Sequence, residues 1–275
     1  MLSRTIRGLV LLSIWLIAFE LMIGSPTIAA EPIRLRVMSY NIHHGEGVDG
    51  KVDLPRLANV IKSEAPDLVA LQEVDQNTQR TGKVDQPAVF GQLCGMHVIF
   101  GDNIPYQGGR YGNAILSKHP VRLKKNHPLK SFYQGEQRGV MELEVDVPGL
   151  RGPLLFFATH LDYRGGSQER PASALQINEI VRQNPDRPAI LMGDLNDRIG
   201  SDTLEKFGTT WKRSEAKELP TFPVDRPIRQ IDFVLIRPES RWKVIETRVL
   251  DEAVASDHRA IVSVLDLDPG QPGKN

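Results

Sequence analysis

This chain has little with which to cross-link, insert or attract. A single cysteine, Cys94, excludes an internal disulfide, so the core must hold by packing alone. It falls in Phe90-Gly91-Gln92-Leu93-Cys94, a helical pattern, and reads as a small buried apolar residue rather than a nucleophile. Aromatic residues make up 6% of the chain, and no Trp- or Phe-rich loop stands out as a membrane-insertion device. The 34 basic and 34 acidic residues cancel, which removes any global attraction to nucleic acid or anionic lipid. The basic stretch Lys124–Lys130 is the strongest local patch and reads as a solvated loop. No Gly/Ser-rich or Pro-rich linker and no repeat interrupts the interior, so one α/β domain is expected.

The one sustained apolar run outside the core pattern lies at the N-terminus. Arg4 and Arg7 precede Gly8–Phe19, Glu20 interrupts the run, and Thr27-Ile28-Ala29 supplies small residues. These are the parts of a secretory signal peptide spanning residues 1–30, cut after Ala29 or Ala30; the alternative is an uncleaved anchor, for which the run is short. The expected mature chain is periplasmic or secreted, with one domain over 31–268 and a disordered Pro/Gly tail over 269–275.

Periodicity organises the rest. Arg34–Asn41, Leu68–Leu71, Val140–Val147, Leu154–Ala158 and residues 189–194, 231–236, 242–249 and 259–266 read as strands. Leu54, Leu57, Ala58 and Ile61 recur at helical spacing after Asp53, an N-cap candidate; Ala88–Leu93 and Ala172–Gln183 are further helices. Gly108–Gly112 suits a hairpin entrance before Ala114-Ile115-Leu116. This pattern predicts a mixed sheet system with helices outside, and leaves open whether there is one sheet or two.

Acceptor-rich residues collect at the ends of those strands. Asn41, Glu73, His160, Asp194, Asn196 and Asp257 with His258 stand at strand ends or entrances, and Asp232 stands at a strand start. Polar residues at one end of a packed sheet line a pocket readily. Each alone has a plain structural reading: turn residue, cap, satisfied core histidine or Asx turn. Together they suit a hard divalent cation beside a phosphate, because Mg2+ takes carboxylates, waters and substrate oxygens.

The ordered segments Tyr40-Asn41-Ile42, Leu71-Gln72-Glu73-Val74, Gly112–Lys118, Thr159-His160-Leu161, Gly193-Asp194-Leu195-Asn196, Ile231-Asp232-Phe233-Val234 and Ser256-Asp257-His258 resemble the endonuclease/exonuclease/phosphatase superfamily over residues 33–266. The resemblance implies a four-layer α/β/β/α sandwich of two mixed, mainly antiparallel sheets. It implies that Glu73 is the main metal ligand, with the Asn41 carboxamide oxygen and Asp257 at the same Mg2+ (Mn2+ as the alternative). Asp194 is implied to orient or deprotonate the attacking water. His258, its tautomer held by Asp232, is implied to contact the phosphate, and His160 to protonate the leaving oxygen. Asn196 and Asn113 are implied phosphate contacts; Arg138 matches a phosphate-contacting arginine or is a surface residue.

Two departures narrow the transfer. Abasic-site endonucleases carry an acidic residue where this chain has His43, and an asparagine where it has His160, which argues against a DNA-repair specialist. The position before the Gly-x-Ala-Ile segment, acidic in several branches, is Tyr111, so no carboxylate partner for His160 is visible. His43 and His44 either contact substrate or metal or form a tight polar turn. The resulting expectation is an exported, Mg2+-dependent phosphodiesterase acting as a monomer on nucleic acid or a phospholipid headgroup. A sphingomyelinase-type hydrolase, a phosphomonoesterase and a catalytically silent binding protein are the alternatives.

Overall fold

The computed structural model describes residues 31–270, so the expected signal peptide and the last five residues of the tail lie outside the described chain. Twelve strands form two six-stranded sheets. The first contains β1 (Ile33–Asn41), β2 (Leu68–Gln76), β3 (His97–Tyr106), β4 (Gly109–Ser117), β11 (Trp242–Val249) and β12 (Ile261–Leu267), in the order β11-β12-β1-β2-β4-β3. The second contains β5 (Val121–Pro128), β6 (Gly139–Val145), β7 (Leu154–His160), β8 (Ala189–Asp194), β9 (Lys212–Arg213) and β10 (Asp232–Arg237), in the order β5-β6-β7-β8-β10-β9. Only β1–β2 and β7–β8 run parallel. Each of those pairs is bridged by one crossover helix: α1 (Leu54–Glu64) in the first sheet and α3 (Glu169–Arg182) in the second. Two shorter helices, α2 (Gln86–Cys94) and α4 (Asp202–Gly208), complete the outer layers.

Alternation within the central strands explains the four layers. In β1, Leu35 and Val37 enter the core between the sheets, whereas Met38 and Tyr40 pack toward α1 and α2. In β7, Leu154, Phe156 and Ala158 face the inter-sheet core, and Leu155 and Phe157 face the α3 side. Both faces of β7 are buried, so its sequence reads as a continuous apolar run, whereas β1 alternates at its start, where Arg34 is exposed. A buried side chain such as Phe156 contributes about 1.5–3 kcal/mol by leaving water. Asp53 caps α1 by accepting the Arg56 N–H at 2.9 Å, with Pro55 in the first turn where a missing N–H costs nothing.

Three sequence expectations need correction. β3 and β5 were not visible as strands: β3 carries a bulge between Asp102 and Ile104, and β5 is an exposed edge strand. Lys124–Pro128 therefore lies on a strand rather than in a loop, and lysines on an edge discourage further strand pairing. Pro269, expected in a disordered tail, is instead buried, next to Asp268, whose N–H donates to Arg241 O at 2.8 Å. The hairpin entrance stands where the glycines place it: Gln107 and Gly108, both at positive φ, form the two-residue turn between β3 and β4. Cys94 ends α2, half-buried, and burial pushes its thiol up. Among the described residues no helix is long and apolar enough to cross a membrane.

Candidate active site

Register assembles the centre of the site. In the parallel pair β7–β8, His160 lies opposite Asp194; in the antiparallel pair β8–β10, Asp194 lies opposite Asp232. Three polar residues thus form one row across three adjacent strands. The approach is close enough that a Cβ on Gly193 would come within 1.9 Å of Thr159 O, so only glycine fits before Asp194. Asp194 Oδ1 accepts the Asn196 N–H at 2.8 Å, an Asx turn that holds Asn196 at φ 49°.

The other sheet meets this row from across the core. Asn41, fully buried at the end of β1, donates its amide to Asp194 Oδ2 and Glu73 Oε1, both at 3.1 Å. Its carboxamide oxygen accepts the His43 N–H at 3.0 Å. This differs from the expected metal-facing oxygen: the two carboxylates need donors and the backbone N–H needs an acceptor, so the amide has one satisfactory orientation. In this arrangement the Asn41 amide nitrogen orients Glu73 while its oxygen holds the His43 N–H. Glu73 itself sits in a bulge between Leu71 and Val74 at φ 60°, which turns its side chain out of the ladder. His43 and His44 follow Asn41 at φ 45° and 46°. Each such residue costs about 1–3 kcal/mol of strain, tolerated where surrounding contacts over-determine it.

His258 closes the constellation. Its Nδ1 donates to Asp232 Oδ2 at 2.9 Å, leaving Nε2 3.7 Å from Asp194 Oδ2. Burial opposes its charge, but Asp232 and Asp194 overcome that and raise its pKa to about 10. Burial and the nearby Asp232 charge raise Asp194 to about 7. Two neighbouring groups are thus pushed toward a cationic donor and a near-neutral base.

His160 departs from its expected role. Arg138 Nη1 lies 3.0 Å from its Nδ1, and a guanidinium can only donate, so Nδ1 is an acceptor. Nε2 therefore carries the proton and lies 3.5 Å from Asp194 Oδ2; the Asn196 amide nitrogen, 2.9 Å from the same ring nitrogen, donates to Leu161 O. Burial first, then the Arg138 and His258 charges, hold the His160 pKa well below its usual value. A neutral imidazole against an arginine is poorly suited to protonating a leaving group. Asn196 is engaged with the same ring and loop.

A cleft of about 510 Å³ opens above these groups, lined by Glu73, Arg138, His160, Asp194, Asn196, Asp257 and His258. Asn41 and Asp232 stand beneath it as buried supports. Arg138 is 5% exposed and pairs with Glu136 at 2.7 Å, which decides between the two sequence readings against a surface arginine. Asn113 does not line the cleft. It is buried on β4 opposite Gly101, while Tyr111, two residues nearer the strand start, takes the wall. Sequence reasoning missed Glu136, Tyr163, Phe222 and Arg229 in the lining. All four lie in loops outside the seven motifs, and only the bridge between Phe222 and Arg229 aims that loop at His258, whose ring is 4.8 Å from Phe222.

Among the described residues two groups of His, Asp and Glu side chains bring ligand atoms within 4.8 Å of one another: His43, His44 and Glu73, and Asp194, Asp232 and His258. Asp257 joins neither, although it lines the same cleft.

This fold and cleft, with the family match that follows, make the chain a phosphoester hydrolase. The chain belongs to the Endonuclease/Exonuclease/phosphatase family, whose model matches residues 38–258. It is 25% identical over 226 residues to YbhP of Escherichia coli K12, covering 74% of this chain and 85% of that protein. It is 30% identical over 219 residues to a 5'-tyrosyl-DNA phosphodiesterase of Caenorhabditis elegans, covering 68% of this chain and 55% of the relative. The crystal structure of an endonuclease/exonuclease/phosphatase from Beutenbergia cavernae superposes with a TM-score of 0.68 at 28% identity, covering 85% and 72% of the two chains.

Proposed function

We propose that this chain is an exported, divalent-cation-dependent phosphodiesterase that uses water as its nucleophile. One observation carries the reading: the His160–Asp194–Asp232 row and His258 share one cleft with the carboxylates of Glu73 and Asp257. Neither of those carboxylates forms an ion pair with Lys, Arg or His among the described residues, and such a pair at a cleft wall fits a cation. Glu73 and Asp257 would hold Mg2+ or Mn2+, with Asn41 orienting Glu73. When bound, the cation supplies positive charge against the phosphate oxygens.

The remaining work belongs to side chains. Asp194, near neutrality in its proton affinity, takes a proton from the attacking water. His258, charged and tautomerically fixed by Asp232, presents Nε2–H to a phosphate oxygen. Arg138 adds a fixed guanidinium, and His160 holds Arg138 and Asp194 in register. Diester rather than monoester chemistry is supported by the name of the Caenorhabditis elegans relative and by a cleft walled on two sides, by Tyr163 and by Phe222 with Arg229. Nucleic acid and phospholipid headgroups are the substrates this covers, and a monomer suffices.

Export rests on the N-terminal pattern: Arg4, Arg7, the apolar run and the small residues before Glu31. Mass spectrometry of the expressed protein should find a chain beginning at Ala30 or Glu31 outside the cytoplasmic membrane; an intact N-terminus in the membrane fraction argues for an anchor. For the chemistry, the test is a chromogenic phosphodiester beside the matching monoester, with and without EDTA. Turnover of the diester that EDTA abolishes is expected. A strong monoester preference moves the chain to phosphatase chemistry, and undiminished turnover in EDTA removes the cation.

A further inference from the structure

The turn after β1 holds two consecutive histidines that the mechanism above does not use. His43 and His44 both adopt left-handed backbone conformations, and Glu73, which faces them, does the same. The turn is held from several directions. Asn41 Oδ1 accepts the His43 N–H, Gln86 Nε2 donates to His44 O at 2.7 Å, and Gly45 N–H returns to Ile42 O at 2.8 Å. Gly45 sits at φ 89°, a backbone conformation that L side chains rarely adopt, so glycine suits the reversal there.

Glu46 sets the protonation pattern of both rings. Its backbone carbonyl lies 3.1 Å from His43 Nδ1, and its carboxylate oxygen lies 3.4 Å from His44 Nε2. Both partners are acceptors, so those nitrogens carry N–H, leaving lone pairs on His43 Nε2 and His44 Nδ1. His44 Nδ1 is buried with no hydrogen-bond partner, an orphaned acceptor of the kind that a cation satisfies. Metal-bound histidines commonly donate their second ring nitrogen to a carbonyl or carboxylate, as both of these do. One ligand atom from each of His43, His44 and Glu73 lies within 4.8 Å of the others, and His43 and Glu73 open onto the cleft.

We infer that His43 Nε2, His44 Nδ1 and a Glu73 carboxylate oxygen form a nitrogen-bearing metal centre that selects a transition-metal ion of the Zn2+ type over Mg2+. Mg2+ binds oxygen ligands, whereas two imidazoles and one carboxylate form a donor set of catalytic zinc sites. Imidazole donors also favour the later first-row ions along the Irving–Williams order. The inference rests on the cation-dependent reading above and changes its ion.

The test is calorimetric titration of the metal-stripped full chain with Zn2+ and, separately, Mg2+, together with the visible absorption spectrum of the Co2+-loaded protein. Variants are His43→Asn and His44→Asn, singly and together, because asparagine tolerates the left-handed backbone. Glu46→Ala, half-exposed, releases the His44 tautomer without touching the core. Zn2+ should bind wild type at least about a hundredfold tighter than Mg2+. The double variant should lose about a hundredfold or more in Zn2+ affinity and Glu46→Ala about tenfold, with Mg2+ affinity held within about twofold. The Co2+ band should weaken in step. Unchanged Zn2+ affinity in the double variant, or in Glu46→Ala should the double fail to fold, overturns the inference and leaves the Glu73 cation of the proposed function standing. Failure of wild type to bind any divalent ion overturns both readings together.

Discussion

The two sheets share a plan, each with one parallel pair near its centre and one crossover helix, yet they bring different chemistry to the cleft. The second sheet contributes His160, Asp194 and Asp232 from strand ends already in register, all buried, with Asp232 hydrogen-bonded to His258, Asp194 to Asn41 and Asn196, and His160 to Arg138. The first contributes Glu73 from a bulge, and His43 and His44 from a turn at positive φ, all half-buried. The regular half suits groups that must hold a proton inventory in a low-dielectric setting, where small displacements change pKa values strongly. The strained half suits groups that wait for a ligand, since the orphaned His44 acceptor and the backbone cost are offset only when something binds.

The largest expected effect tests the regular half. Asp194→Asn should lower kcat by about 10²–10⁴ while leaving KM near wild type, because a positioned base is lost and substrate contacts are kept. Its thermal stability should hold or rise, since burial and Asp232 both disfavour the Asp194 charge. A loss smaller than about tenfold would mean that another group takes the water proton.

Next comes the strained half. Glu73→Gln should reduce turnover by about 10²–10³ and weaken the binding of activating cation, with little change in Tm. Calorimetry of cation binding beside steady-state kinetics separates this from misfolding; wild-type cation affinity in the variant would break the contrast between the two sheets.

Asp232→Asn and His258→Ala join the sheets, and they should not add. The double mutant is expected to be scarcely slower than His258→Ala alone, because Asp232 works through the His258 Nδ1–H at 2.9 Å. Fully multiplicative losses in kcat/KM would show that Asp232 acts independently.

The smallest effect is on stability against pH. The folded His258 pKa is raised from 6.5 to about 10, despite burial, by Asp232 and Asp194. A raised folded pKa stabilises fully below the unfolded value and loses that contribution as pH climbs through the folded one. The stability advantage of wild type over His258→Gln should therefore shrink between pH 6.5 and about 10, read by urea unfolding in EDTA. An advantage that grows over this window would reverse the assigned charge state.

How much was legible in the chain follows the same divide. Strands buried on both faces, such as Leu154–His160 and Ala189–Asp194, announced themselves as apolar runs ending in polar residues, and those ends are where the cleft lies. The edge strands β3 and β5 were not legible, because half-solvated ladders interrupted by a bulge or by lysines carry no clean period. Glu136, Tyr163, Phe222 and Arg229 were not legible either; a loop residue acquires a place in a site only when the loop folds back over it.

What the chain determined by itself is the identity of the chemical groups and the strand ends that carry them, because hydrophobic period and local turn chemistry are short-range properties. Tertiary structure alone decided their states. Asn41 turns its nitrogen rather than its oxygen to Glu73 because a carboxylate from the opposite sheet stands beside it. His160 is held neutral first by its burial and then by Arg138, 22 residues away at its Nδ1, whereas His258 is charged despite burial because Asp232, 26 residues away, meets its own. Protonation and hydrogen-bond orientation depend on neighbours within a few ångströms, and in a sandwich of two sheets those neighbours come from distant parts of the sequence.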